Sequence, residues 1–385
     1  MEKCKNSKLC GGCIYREVPY QEQLKKKQKM VSQLLGKYCR VSGIEGMDTP
    51  YYYRNKVHGV VAQGKGKRLY SGIYQAGTHR VIPVEKCMLE DKMAAKIIAS
   101  VVDFANVFHL SAYDEDRHTG LLRHILVRAA VATGEYLVVL VMSKDRFPEE
   151  KEFVEALTLT YPQIKSIVIS VNAEDTTFVL GKKERIIYGN GTVTDELCGM
   201  KFRISAGAFY QVNHQQTEKL YQKALDIADI RKKDVVLDAY CGIGTIGLLA
   251  SRRAKQVLGV ELNQQAVSDA IYNAKLNHAE NIRFINRDAG KFMRELAERN
   301  QRMDVVIVDP PRSGLSREFI FSLCRLKPNR VVYISCNPQT QERDIRLMQQ
   351  KGYRAVQAHP FDLFPFTEHV ECVIMMQYCG KEKKK

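Results

Sequence analysis

The chain has 385 residues, 45% of them hydrophobic, which is enough for two or three domains that each bury a core. Its 59 Lys and Arg against 43 Asp and Glu leave a net charge of +16, so an anionic partner such as nucleic acid or a membrane surface is favoured over an acidic one. No run approaches the roughly 20 apolar residues of a membrane helix, the opening MEKCKNSK has no apolar signal-peptide core, and eleven cysteines suit a reducing cytoplasm.

Three zones follow one another along the chain. Residues 1–44 begin with CKNSKLCGGC, where Cys4, Cys10 and Cys13 give the spacing C-x5-C-x2-C and Gly11 and Gly12 allow a tight wrap. With a fourth thiolate the set suits Zn²⁺ or a [4Fe–4S] cluster, and spacing alone does not decide between them. Next, Tyr20, Leu24, Val31, Leu34 and Leu35 recur near helical spacing beside a lysine run, which predicts a basic amphipathic helix.

Residues 45–200 break into short Val-, Ile-, Tyr- and Thr-rich segments such as HGVVAQG, RHILVRAAV and EYLVVLVMS, separated by Gly, Asn and Asp. They predict a β-rich α+β domain built on an antiparallel sheet. Within it, YYYRNKVHG and GKGKRLYSG set aromatic rings among Arg54, Lys56, Lys65, Lys67 and Arg68, a mixture that suits RNA because cations meet phosphates while rings stack on bases.

Residues 201–385 alternate strand and helix patterns, from DVVLDAY and GTIGLLASRR to MDVVIVDPP and RVVYIS. Such alternation predicts an α/β, doubly wound, mainly parallel sheet with its ligand beyond the carboxyl ends of the strands. In VLDAYCGIGTIG the glycines Gly242 and Gly244 let a ligand approach the backbone closely. Glu261 ends the next strand, where a carboxylate can take both hydroxyls of a ribose, and Asp288 ends the one after, where it can accept from an adenine amino group. The third glycine of the dinucleotide fingerprint is missing, so an adenosine ligand without pyrophosphate fits better than NAD. The closing KEKKK reads as a basic tail.

Together, this pocket, VDPPR at 308–312, YISCNP around Cys336 and FPFTEHVECVIMM resemble the RNA uracil-5-methyltransferases, in particular the iron–sulfur bacterial enzymes acting on 23S ribosomal RNA. The resemblance implies a Rossmann-like S-adenosylmethionine-dependent methyltransferase domain, and it implies Cys336 as the nucleophile that adds to carbon 6 of uracil. Such a thiol is expected to be partly ionised. Glu371 matches the family's base for the carbon-5 hydrogen, whereas Glu368 does not align with it. Asp309, Gln211, Tyr240 and Thr245 are implied in the cofactor pocket. For the cysteines the resemblance favours the cluster over zinc and selects Cys87, not Cys39, as the fourth ligand. Phe209 and Tyr210 are expected in the core, and His369 is given no role. Many members carry a small RNA-binding barrel ahead of the cysteines, which is not expected here, so the central domain and basic helix are expected to grip the RNA. The expectation is a cytoplasmic, monomeric enzyme on structured RNA. Transfer RNA is the nearest alternative substrate, an amino-methyltransferase is a rival chemistry, and a non-catalytic iron–sulfur RNA-binding protein is the rival of another class.

Overall fold

Runs of β-branched residues after position 234 form the strands Val235–Ala239, Gln256–Glu261, Ile282–Asn286, Val305–Val308 and Arg330–Ser335, all parallel to their neighbours among these five. Such strands are covered on both faces by crossover helices, which is why they read as nearly continuous apolar runs. The computed structural model describes residues 4–6, 9–75 and 77–380, so the basic tail at 381–385 lies outside the described residues. In space the order runs 330–335, 305–308, 235–239, 256–261, 282–286. It reverses beside Val235–Ala239, and at such a switch point the carboxyl ends of the strands open a crevice.

The sheet is mixed at its other edge. Glu371–Tyr378 runs antiparallel between Arg330–Ser335 and Tyr353–Phe361, and the short strand Arg40–Val41 closes that edge parallel to Tyr353–Phe361. The 362–370 connection explains the reversal, because a parallel crossover needs about a dozen residues or more.

Residues 56–188 supply a seven-stranded sheet whose neighbours are antiparallel with one exception. Glu135–Met142 and Ile164–Val171 are parallel, since helix Glu150–Thr160 crosses between them. One face of this sheet packs on helices Lys92–Val107 and Glu150–Thr160 through Val57, Ile97, Val101, Ile125 and Phe153. On the other face, Leu126, Leu137, Val139 and Val141 share a core with the hairpin Thr192–Leu197/Met200–Ser205 and with Val236, Val257 and Val332 of the mainly parallel sheet. The two sheets are thereby joined through one apolar core, and the 200/201 boundary falls inside the hairpin.

Helix Tyr20–Leu35 forms where the sequence predicts it, with Val31 and Leu35 of the expected apolar face inward and two polar residues buried beside them. Gln23, Lys27, Val31 and Leu35 are its buried residues. Lys27, part of the expected basic surface, is 1% exposed and pairs with Asp362 at 2.6 Å.

Candidate active site

The antiparallel ladder between Arg330–Ser335 and Glu371–Tyr378 pairs Ser335 with Cys372. Cys336 therefore leaves one strand where Glu371 enters the other, although 35 residues separate them in the chain. Directly opposed residues of such a ladder carry Cβ atoms about 5 Å apart. Asp309 follows Val308, which pairs with Tyr333, and so it ends at the same rim. The Cys336 thiol is pushed up to about 11, by burial first and then by Glu371 and Asp309, while the Arg312 guanidinium pulls it down. The expectation of a partly ionised thiol is thus corrected: two carboxyl groups and half-burial favour the neutral form in the unliganded protein. Glu371 is 3% exposed, and burial followed by Asp309 holds its carboxyl well above the ordinary range. Asp309 itself is raised to about 7 by burial.

The glycine turn lies beside this rim. Gly242 (φ +52°) and Gly244 (φ +84°) both adopt the left-handed region, and so does Tyr240 at +66°. A Cβ on Gly244 would lie 2.6 Å from the Phe284 ring, whereas one on Gly242 would meet nothing within 4 Å, so Gly242 borders open space. Glu261 accepts from Gly242 N at 3.1 Å and from Asn263 N at 2.8 Å, which fixes its carboxylate under the turn. Asp238 accepts from Gly247 N at 2.7 Å; burial, with Asp309 and Glu261 adding to it, raises its carboxyl to about 8. Asp288 caps helix Ala289–Glu298 by accepting from Lys291 N at 2.9 Å. Tyr240 packs its ring on Phe319 at 5.8 Å and is half-buried next to Asp288. The hydroxyl of buried Tyr221 lies beside Thr245, Gln211 and Asp309. Asp238, Glu261, Asp309 and Glu371 crowd one crevice with carboxyl groups, an environment that favours a cationic ligand over a pyrophosphate.

Three residues of this rim were not foreseen. Tyr221 sits beside Gln211, Thr245 and Asp309, but a helical tyrosine at apolar spacing gives no sign of that. Arg312 faces the thiol and donates toward His369 Nδ1 at 3.4 Å; the arginine of DPPR was the available signal. Phe209 was expected in the core, yet it is 71% exposed, while Tyr210 is buried as expected. In the loop after strand Met200–Ser205, Ala208 and Tyr210 are buried while Phe209 between them is exposed.

Cys4, Cys10, Cys13 and Cys87 are half-buried. Asn6 Nδ2 donates to Pro83 O at 2.8 Å, tying the cysteine segment to the chain that leads into Cys87. Cys13 and Cys87 pack on the same small core of Met47, Tyr53, Met88, Leu89 and Phe366. Burial first, then Cys10 and Cys4, push the Cys13 thiol to about 11. Among the described residues, however, no group of three or more His, Cys, Asp or Glu is arranged to hold a metal ion. The expected four-cysteine site is a neighbourhood of thiols here and not a formed coordination shell. The central basic patch also changes: Lys56 is lowered to about 8 by burial and by Arg128, its ladder partner, so it is no freely solvated cation.

A sequence profile of the tRNA (Uracil-5-)-methyltransferase family matches residues 19–379. The chain belongs to that family. An RNA methyltransferase of Clostridium tetani is 39% identical over 379 residues, spanning 97% of this chain and 82% of its own. Another, from Halalkalibacterium halodurans, is 39% identical over 373 residues, spanning 96% and 81%. The solved structure of the Pyrococcus abyssi tRNA (uracil-54, C5)-methyltransferase in complex with S-adenosyl-L-homocysteine superposes with a TM-score of 0.81 at 27% identity, covering 96% of this chain and 86% of that one. As a uracil-5-methyltransferase family member, the protein is an S-adenosylmethionine-dependent RNA methyltransferase with the α/β methyltransferase fold.

Proposed function

We propose that the protein methylates carbon 5 of a uridine in structured RNA through a covalent thiol adduct, with Cys336 as nucleophile and Glu371 as the carboxylate base. The observation that carries this reading is the strand register, which sets the half-exposed Cys336 thiol against a fully buried carboxyl group. Carbon 5 of uracil is a poor nucleophile. Addition of the Cys336 thiolate at carbon 6 makes the ring an enolate whose carbon 5 takes the methyl group. Glu371 then removes the carbon-5 hydrogen as a proton, the carbon 5–carbon 6 double bond re-forms, and the thiolate leaves. A raised pKa makes Glu371 a stronger base once ionised. S-adenosylmethionine supplies the methyl on a positively charged sulfonium, and that charge favours the ionised forms of Cys336, Asp309 and Glu371. Glu261 would hold its ribose, Asp288 its adenine, and Gln211, Tyr240, Gly242, Gly244, Thr245 and Asp309 the remainder of the pocket.

Both working groups must lose a proton, and both are raised in the unliganded protein. The rate per unit of substrate, kcat/KM, should therefore climb with pH across the neutral range; a flat profile from about pH 6 to 9 would show that neither titration limits the reaction.

For the substrate, the resemblance to enzymes of 23S ribosomal RNA supports a large-subunit target. Transfer RNA is the second reading, favoured by the 0.81 TM-score to the Pyrococcus abyssi enzyme. Nucleoside mapping of RNA from cells with and without the gene decides: loss of a 5-methyluridine from 23S RNA supports the first, and loss from transfer RNA alone the second. Exposed Phe209, two residues before Gln211, offers a ring face for a base, so Phe209→Ala should raise KM for RNA by about tenfold while S-adenosylmethionine affinity stays unchanged. Exposed Lys65, Lys67 and Arg68 remain available to phosphates. Neutralising all three should flatten the log–log salt dependence of RNA binding by about 0.7 for each phosphate left without its cation, and an unchanged slope would remove this patch from the interface.

The reading includes a [4Fe–4S] cluster on Cys4, Cys10, Cys13 and Cys87, with zinc as the alternative. Support comes from Cys13 and Cys87 packing on one small core, from Cys10 and Cys4 lying near enough to Cys13 to raise its thiol, and from the Asn6–Pro83 tie. Its contribution would be structural, fastening the amino-terminal segment to the loop around Cys87. Cytoplasmic location is part of the reading, supported by cysteines that are all free thiols. Among the described residues no helix is long and apolar enough to cross a membrane.

A further inference from the structure

The loop that delivers Glu371 to the site is held largely by segments remote from it in the chain, most of them outside its own domain. Its backbone polar groups are taken one after another by other segments. Asn213 Nδ2 donates to Leu363 O at 2.9 Å, Lys27 Nζ to Phe364 O at 3.1 Å, and the Tyr53 hydroxyl to Pro365 O at 3.2 Å. Phe366 N donates to Gln23 Oε1 at 2.9 Å, and Tyr15 N donates to Phe366 O at 3.0 Å. Lys27 also meets the Asp362 carboxylate at 2.6 Å, with both side chains out of solvent. Phe366 sits at φ +67°, a region a phenylalanine does not choose by itself, and its ring stacks on Tyr51 at 5.3 Å. These bonds, together with Thr367 Oγ1 donating to Phe364 O at 2.8 Å within the loop, hold its shape. Beyond Phe366 the chain needs only Thr367 to Val370 to reach Glu371.

Buried lysine and glutamine are costly unless each has a partner, and on helix Tyr20–Leu35 they stand one turn apart and both face the 362–366 stretch. Their neighbour on that stretch, Tyr15, lies two residues after Cys13. We propose that helix Tyr20–Leu35 and the end of the cysteine segment act as a clamp on this loop, with Gln23 and Lys27 as positioning residues for Glu371. The clamp couples the cysteine segment to proton removal at carbon 5, and not to cofactor binding, which involves other residues. This inference rests on the assignment of Glu371 as the base.

Lys27→Met and Gln23→Leu in the full-length protein test it, with total RNA from cells lacking the gene as substrate. A displacement of the base by an ångström is worth about a hundredfold in rate. Turnover should fall by that order while S-adenosylmethionine affinity is kept, and methylated RNA should accumulate in covalent linkage to protein, as in Glu371→Gln. Lys27→Met leaves Asp362 without its partner; if that variant does not fold, the uncharged Gln23→Leu carries the test. Folded variants that release methylated RNA at the wild-type rate, or that slow without adduct while Glu371→Gln accumulates it, overturn the clamp. Absence of adduct in Glu371→Gln itself instead overturns the base assignment, and the clamp with it.

Discussion

Cys336→Ala is expected to bind S-adenosylmethionine as the wild type does and to transfer no measurable methyl group, a loss on the order of 10⁴-fold or more, as for other nucleophile deletions. Removing the sulfur removes the only step that makes carbon 5 nucleophilic, so little residual route remains. Cofactor binding should survive, because the glycine turn, Glu261 and Asp288 lie on other strands. Glu371→Gln should behave differently. Its thiol can still add and the methyl can still move, but the carbon-5 hydrogen stays, so protein and methylated RNA remain joined in a denaturing gel. Methyl transfer by Cys336→Ala, or Glu371→Gln giving neither adduct nor transferred methyl with cofactor bound, would show that the residue concerned has another role.

The other large effect belongs to the amino-terminal cysteines. Protein purified without oxygen should be brown, and Cys10→Ser should lose iron and stability together, since binding energy of a structural metal site is also folding energy, typically about 10 kcal/mol or more for structural zinc. The expected loss reaches the 362–366 loop, because Tyr15 and Gln23 hold Phe366 from this same segment. A colourless preparation containing zinc, equally stable, would replace the cluster with the alternative metal. Neither metal in a stable protein would leave Cys13 and Cys87 as packing on the small core around Phe366.

Much of the catalytic half was legible in the sequence because its signals are local. Strand runs such as VVLDA and VVYIS are apolar over nearly their whole length, and the turn between strand and helix needs glycines at Gly242 and Gly244, whose φ values are positive. The proximity of Cys336 and Glu371 is a different matter, since it arises from register in an antiparallel edge that no local pattern encodes. Family motifs, not periodicity, suggested that pair. Helix periodicity misled at Lys27, because counting apolar residues cannot find a buried cation whose partner, Asp362, lies 335 residues away. Lys56 is a similar case: burial first, and then its ladder neighbour Arg128, lower its pKa to about 8, which neither the YYYRNKVHG motif nor its spacing reveals. Phe209 was misjudged because residue type alone does not tell which of two adjacent rings in a loop meets the core: Tyr210 is buried and Phe209 is 71% exposed.

Peptide mapping of the trapped complex tests the central claim most directly. Glu371→Gln incubated with S-adenosylmethionine and RNA from cells lacking the gene, then digested with protease and nuclease, should yield one modified peptide, carrying a methylated uridine nucleotide on Cys336. A methylated RNA product with no peptide attached, or a nucleotide on any other cysteine, would contradict the assignment of Cys336 as the nucleophile.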